Sequence, residues 1–180
     1  RRQRQMCIRD RAANALAAIL PGRRMRHIAE AAESWIAPIA ARALAAGLGE
    51  TIGHELHAML AAHRASPSGN VWRNRAGGQP GFVFNPSAYL DEAGGFDIAA
   101  LGHDVQLAVT ALTLAAPSEH RLRLGFTDFN LFLARLGLAY DSAQARDLAV
   151  TLTGFIGAEA DLASAYLLAC GNLTRTRSTA

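Results

Sequence analysis

Arg121-Leu122-Arg123-Leu124-Gly125-Phe126-Thr127-Asp128-Phe129-Asn130-Leu131-Phe132-Leu133-Ala134-Arg135-Leu136-Gly137-Leu138-Ala139-Tyr140-Asp141-Ser142-Ala143-Gln144-Ala145-Arg146 decides how the chain is read. Arg121 to Gly125 alternates charge with leucine, the period of a short half-buried strand, and Gly125 allows the turn that follows. Thr127 is placed to cap a helix. Phe129, Phe132, Leu133 and Leu136 fall at i, i+3, i+4 and i+7 on one helical face, and Gly137 stands where a left-handed C-terminal residue belongs. Asp141 is positioned to open a second helix, with Gln144 able to reach back as in a capping box. That helix carries Leu148, Leu152, Phe155, Ile156, Leu162, Tyr166, Leu167 and Cys170 on one broad side. The stretch therefore predicts strand, helix, tight turn and long helix, with Phe129, Phe132 and Leu136 packed on Leu148, Leu152 and Phe155.

Working outward, Asp97 to Ala115 is the clearest other amphipathic helix, with Ile98, Leu101, Val105, Val109 and Leu112 aligned and Pro117 marking its end. Towards the N-terminus, Ala12 to Leu20 is a short helical run stopped by Pro21-Gly22. Arg23 to Gly49 places Ile28, Trp35, Ile36 and Ile39 on one face, and Pro38 predicts a kink or break. Glu50 to Ala65 makes a further helix with Ile52, Leu56, Met59 and Leu60 inward. Residues 66–95 are rich in Ser, Pro, Gly and Asn, with Gly81 to Phe84 as a possible strand. The organisation read from this is an extraneous extension over 1–11, a helical segment over 12–65, a loop-rich linker over 66–95, a second helical segment over 96–172 and a disordered tail over 173–180.

Composition bounds the function classes. The 180 residues carry 18 basic and 15 acidic side chains, a net charge of +3. Met6-Cys7-Ile8-Arg9-Asp10-Arg11 reads like the in-frame translation of a sequencing-library adapter, which predicts a natural start near Ala12 and a piece of a longer frame. Without the five Arg and one Asp of residues 1–11, thirteen basic residues face fourteen acidic ones, a net of −1. The basic pI then gives no argument for nucleic acid. Cys170 is left as the one thiol outside that extension, which excludes an internal disulfide. No uninterrupted apolar run approaches the ~18 residues of a membrane span. The expected setting is cytoplasmic, without membrane or nucleic-acid partners.

Five groups of residues have the makings of chemistry. His54-Glu55-Leu56-His57 has the residue types of a zinc protease helix, but that motif spaces its two His by four positions and here the spacing is three. With His63 a metal site is one reading, and a polar surface face formed by Glu50, His54 and His57 is the other. Trp72-Arg73-Asn74-Arg75 pairs an aromatic with two cations, either for phosphate contact or as a solvated loop anchored by its Trp. Asp128 near a helix start complements the helix dipole, or serves as a substrate or metal carboxylate. Glu159 falls inside an apolar stripe, where an ionised carboxylate needs a partner; Arg121, Arg123, Arg135 or Arg146 is the expected one. Cys170 on an apolar face is read as a small core residue. Neither a Gly-rich phosphate loop nor a cobalamin or flavin motif or nucleophile triad is legible.

Leu122 to Phe129, followed by Leu136-Gly137-Leu138-Ala139-Tyr140-Asp141-Ser142 and the long alanine-rich helix, resembles the catalytic subunit of adenosylcobalamin-dependent ribonucleotide reductases. Those proteins run Leu-Gly-Leu-Gly-Tyr-Ala-Asn-Leu-Gly, a leucine-rich helix, then Gly-Leu-Pro-Tyr-Asp-Ser. Tyr89 to Ile98 resembles the acidic turn before that motif, so the likeness spans roughly residues 85 to 170. Phe126 to Asn130 departs from it, losing a glycine and gaining the Asp128 carboxylate. Asn85-Pro86-Ser87-Ala88-Tyr89 is similar to the active-site run Asn-Pro-Cys-Gly-Glu, whose cysteine carries the thiyl radical in that family. Ser87 and Tyr89 would replace the Cys and the Glu. A serine O–H is too strong a bond to host the radical reversibly, and tyrosine is no base at neutral pH. What the resemblance implies is a mainly α, bundle-like piece with one or two short strands from the reductase barrel domain. It implies a scaffold part with no catalytic or metal-binding residue, partnered by the remainder of its parent polypeptide. Adenosylcobalamin and the nucleotide substrate belong to the full-length family, not to this piece. The alternative is a non-catalytic helical interaction or regulatory protein derived from that fold.

Overall fold

Helix and strand follow the hydrophobic period of each segment. The computed structural model describes residues 28–74, 79–119 and 121–170. Within them the order is α1 (Ile28–Ala45), α2 (Ile52–Ala61), β1 (Ala65–Pro67), α3 (Gly69–Trp72), β2 (Gly81–Phe84), a 3-10 turn (Pro86–Tyr89), α4 (Ile98–Ala115), β3 (Arg123–Phe126), α5 (Phe129–Arg135) and α6 (Ala143–Ala169). The chain is mainly helical with a small sheet of three strands, one more than the sequence predicts. The expectations for Ala12 to Leu20, residues 1–11 and the tail over 173–180 lie outside the described residues.

The sheet runs β1-β2-β3. β1 and β2 are antiparallel, with Ala65 opposite Phe84 and Pro67 opposite Phe82. β2 and β3 are parallel, with Gly81 opposite Arg123 and Phe84 opposite Phe126. Parallel neighbours need a crossover, and α4 lies in the connection. A Cβ on Gly81 would stand 2.8 Å from the Arg123 carbonyl oxygen, so only glycine lets the two strands approach here. The Thr127 N–H donates to the Phe84 carbonyl and extends the ladder by one residue.

Helix α4 is the centre of the packing. Asp97 caps it by accepting from the Ala100 N–H at 2.9 Å. Leu101, Val105, Val109 and Leu112 are buried as predicted, and Leu107, Ala108, Ala111 and Leu114 are buried too, so the helix is enclosed on nearly every side. Ile98, at its first turn, is exposed. α6, α1 and α2 lie against it. Helix α1 continues through Pro38 without the predicted break, and its Trp35, Ile36 and Ile39 are buried. Helix α2 buries the predicted Ile52, Leu56, Met59 and Leu60 but stops at Ala61. His63 takes φ +55°, the Arg64 N–H bonds the Met59 carbonyl and the His63 N–H bonds the Leu60 carbonyl. This Schellman geometry turns the chain into β1 before Ala65, correcting the longer helix.

Residues 66–95, read as loop-rich, hold the expected strand at Gly81–Phe84 together with α3, the 3-10 turn and most of β1. Trp72, Phe82, Phe84 and Tyr89 from this segment join the same hydrophobic core as α1, α2 and α4. Trp35 meets Trp72 at 6.0 Å between ring centroids and Phe82 at 6.1 Å.

The predicted strand, helix, turn and long helix occur in that order, with local corrections. Asp128, at φ +52° and without a side-chain bond, occupies the N-cap of α5 instead of Thr127. The Leu138 N–H bonds the Leu133 carbonyl and the Gly137 N–H bonds the Ala134 carbonyl, with Gly137 at φ +69°, as the left-handed C-terminus predicts. Ser142, not Asp141, caps α6, its Oγ accepting from the Ala145 N–H at 3.0 Å. The buried face of α6 is narrower than expected: Ala145, Leu152, Ile156, Ala163 and Leu167 form the seam, while Leu162 and Tyr166 are exposed. α6 packs principally on α4, not on α5. Phe132 instead joins a ring cluster with Phe96 at 5.4 Å and Phe129 at 6.0 Å.

Candidate functional site

Asp104 is the one carboxylate buried in the core of the described residues, 1% exposed on the inward face of α4. An ionised group in that position needs charge and hydrogen-bond partners. Tyr89, at the end of the 3-10 turn, donates its hydroxyl to Asp104 Oδ2 at 2.8 Å. Arg64, set immediately after the α2 terminator, places Nε 3.2 Å from the same oxygen. That contact is an ion pair by distance, since the Nε–H is not aligned for a hydrogen bond. The guanidinium also lies over the Tyr89 ring, 5.9 Å from its centroid. His103 reaches Asp104 Oδ1 at 3.7 Å and Glu55 Oε2 at 3.5 Å, extending the cluster to the surface between α2 and α4.

Burial and the neighbouring Asp104 carboxylate, with the hydrogen bond between them, push the Tyr89 phenol well above the usual tyrosine range, against the opposing pull of Arg64. Tyr89 is therefore a fixed proton donor at neutral pH and no base. An open cleft of about 510 Å³ borders the cluster, lined by Arg64, Tyr89, Asp91, Phe96, Asp97 and Ala100. Its wall is polar and anchored: the Arg64 guanidinium, paired with Asp104, stands beside the Asp91 and Asp97 carboxylates.

Ser87, which would replace the radical cysteine if Asn85 to Tyr89 were matched to the active-site run, is 5% exposed and its Oγ has no hydrogen-bond partner among the described residues. Its N–H donates to Asn85 Oδ1, and its carbonyl accepts from Arg135 Nη1 at 2.6 Å. Arg135 Nη2 also reaches the Asp91 carbonyl at 3.2 Å, so it ties α5 to the turn. Asn85 to Tyr89 is thus a capped structural turn, with Tyr89 drawn to Asp104.

His54 is exposed and His57 bonds Glu33 Oε1 of α1 at 2.7 Å, while His63 serves as the left-handed terminator of α2. The three do not converge, and among the described residues no three His, Cys, Asp or Glu side chains form a metal-binding group. Glu50 is exposed before α2 begins. Trp72 is a core residue, Arg73 is exposed and Arg75 lies outside the described residues. Asp128 is exposed at its cap position.

Glu159 has a different partner from the arginines predicted: Gln106 Nε2 of α4 donates to its Oε2 at 2.7 Å. Gly102 makes room for it, since a Cβ there would meet both Glu159 Cδ and Phe155 Cζ at 3.3 Å. Cys170 closes α6, half-buried, and hydrogen-bonds Tyr166, raising that exposed phenol. The Arg64, His103 and Asp104 cluster was not read from the sequence. The available signal was one acid in the otherwise apolar inward face of α4.

By length and composition alone α4 and α6 could each cross a membrane, with mean hydropathies of 1.4 and 1.2. α4 is the central core helix; α6 buries a much smaller share of its apolar window. Comparison with protein families, with characterised proteins and with solved structures finds no match to this chain.

Proposed function

We propose that this chain is a scaffold part of a ribonucleotide reductase-like protein, supplying barrel-domain structure without the radical cysteine. The observation that carries the reading is the β2-α4-β3 unit, two parallel strands joined through a helix, which is the building block of an α/β barrel. The Gly137 turn and the long helix capped at Ser142 follow it in the order that the sequence resemblance implies. Under this reading the chain acts in the cytoplasm and its partner is the rest of the parent polypeptide. Under this reading adenosylcobalamin belongs to the full-length family, and none of its contacts is assigned to residues of this chain. No step is assigned to that group here.

Radical reduction needs one thiol over the ribose and a pair to deliver electrons. Cys170 is the single free cysteine among the described residues, so the chemistry is short of groups. Purified protein supplied with adenosylcobalamin, a dithiol and each of the four ribonucleotides should form no deoxyribonucleotide. Formation that disappears in Cys170→Ser would overturn the scaffold reading.

A second reading, a non-catalytic interaction protein, draws on Val150, Leu162, Tyr166 and Leu168, large apolar side chains left exposed along α6. In the scaffold reading the same side chains meet other parts of the parent polypeptide.

A further inference from the structure

Helix α6 is 27 residues long and buries one narrow seam, which leaves most of its surface exposed. Outside that seam Arg146, Val150, Thr153, Gly157 and Asp161 follow at intervals of four, three, four and four residues, so they lie along one face. All five are exposed, Val150 at 73%, and Gly154 lies exposed beside them. This chain's own packing needs neither glycine: a Cβ on Gly154 or Gly157 would meet nothing within 4 Å among the described residues. Glycine weakens a helix interior, so two of them in open space at the middle of a long helix point to a close approach from outside.

The face is self-complementary. An antiparallel copy of α6, related by a two-fold axis between Thr153 and Gly154, brings each Val150 opposite the other copy's Gly157 and each Arg146 opposite the other copy's Asp161. The branched side chain enters the space that the missing Cβ leaves, and a charge pair closes each end. Arg146 Nη1 is anchored on the Asp141 carbonyl at 2.9 Å, and Asp161 has no ion pair among the described residues. A parallel copy in register would set like charge on like charge and leave the notches unfilled. We propose that this face of α6 is an interface between two copies of the chain, packed antiparallel about Thr153 and Gly154. The inference rests on the interaction reading of α6, since in the scaffold reading the parent polypeptide covers the helix. The pattern occupies about 22 Å of helix axis, a small interface, so association is weak and concentration-dependent.

Sedimentation equilibrium of the full chain between about 10 µM and 1 mM, at an ionic strength of about 20 mM where exposed charges are little screened, should show monomer and dimer in equilibrium. Gly157→Leu fills the notch and should weaken dimerisation at least about tenfold. Its site is open in the monomer, so a melting temperature at or above the parent's separates that loss from misfolding. Arg146→Glu and Asp161→Arg should each weaken dimerisation about fivefold by placing like charges at both ends, and the double exchange should restore it to within about twofold. A monomer throughout the range overturns the proposal, as does a dimer that Gly157→Leu leaves intact or that the double exchange fails to restore. The interaction reading itself falls on different evidence, a flanking reading frame that carries the reductase cysteines.

Discussion

Truncating Phe132 distinguishes the packing found here from the packing its sequence period predicts. Phe132 is 2% exposed and lies between Phe96 and Phe129, with centroid distances of 5.4 and 6.0 Å. Removing a buried ring and leaving its cavity costs about 3–5 kcal/mol. For a protein of this size each kcal/mol lowers the melting temperature by about 2–4 °C, so Phe132→Ala should melt some ~6–20 °C below the parent. The size of the loss alone does not identify the partner. Phe96→Leu and Phe132→Leu, singly and together in urea denaturation, should show a coupling of about 0.5–1.5 kcal/mol, the contribution of an aromatic pair beyond its area. Phe132→Leu combined with Leu152→Ala should be additive within about 0.5 kcal/mol, because α6 packs on α4. Additivity of the Phe96 pair, with strong coupling to Leu152, would refute the ring cluster and restore the α5-α6 pairing.

Asp104→Asn keeps an acceptor for the Tyr89 hydroxyl but removes the charge opposite Arg64; urea unfolding should show a loss of about 3 kcal/mol, the low end for a disrupted buried pair because Arg64 retains some solvent. Tyr89 makes stability fall at high pH: its folded pKa lies above the unfolded value of about 10, so its contribution is complete below that value and is lost as pH rises towards the folded pKa. Tyr89→Phe should flatten that alkaline decline in melting temperature, and an unchanged slope between pH 9 and 11, values bracketing the unfolded pKa of about 10, would contradict the assignment.

Much of the helical architecture is legible because it depends on local periodicity. α2 buries the four apolar residues that its 3.6 period selects and α4 buries Leu101, Val105, Val109 and Leu112 but not Ile98 at its first turn, and Gly137 is recognisable because few other residues adopt a left-handed helix end without strain. What escapes is what depends on distant partners. β1 is three residues whose pairing with Phe82 to Phe84 is set by the rest of the sheet, and no window of three residues has a period. His63 ends α2 in a conformation that histidine adopts only occasionally, so its terminator carries no composition signal. The partner of Glu159 is Gln106, fifty-three positions away, and a search for opposite charge passes over a neutral amide. The Asp104 cluster escapes for the same reason. Arg64 and Tyr89 come from two other segments, and only the fold brings them to the carboxylate next to His103.

Sequencing the genomic DNA on both sides of this reading frame tests the scaffold reading most directly. The account predicts one continuous frame in which further β/α units flank these residues and a cysteine stands in an Asn-x-Cys-x-Glu context upstream, with paired cysteines elsewhere for electron delivery. A continuous frame that encodes no such cysteines and no further alternation of strand and helix would contradict it, and would favour the interaction protein.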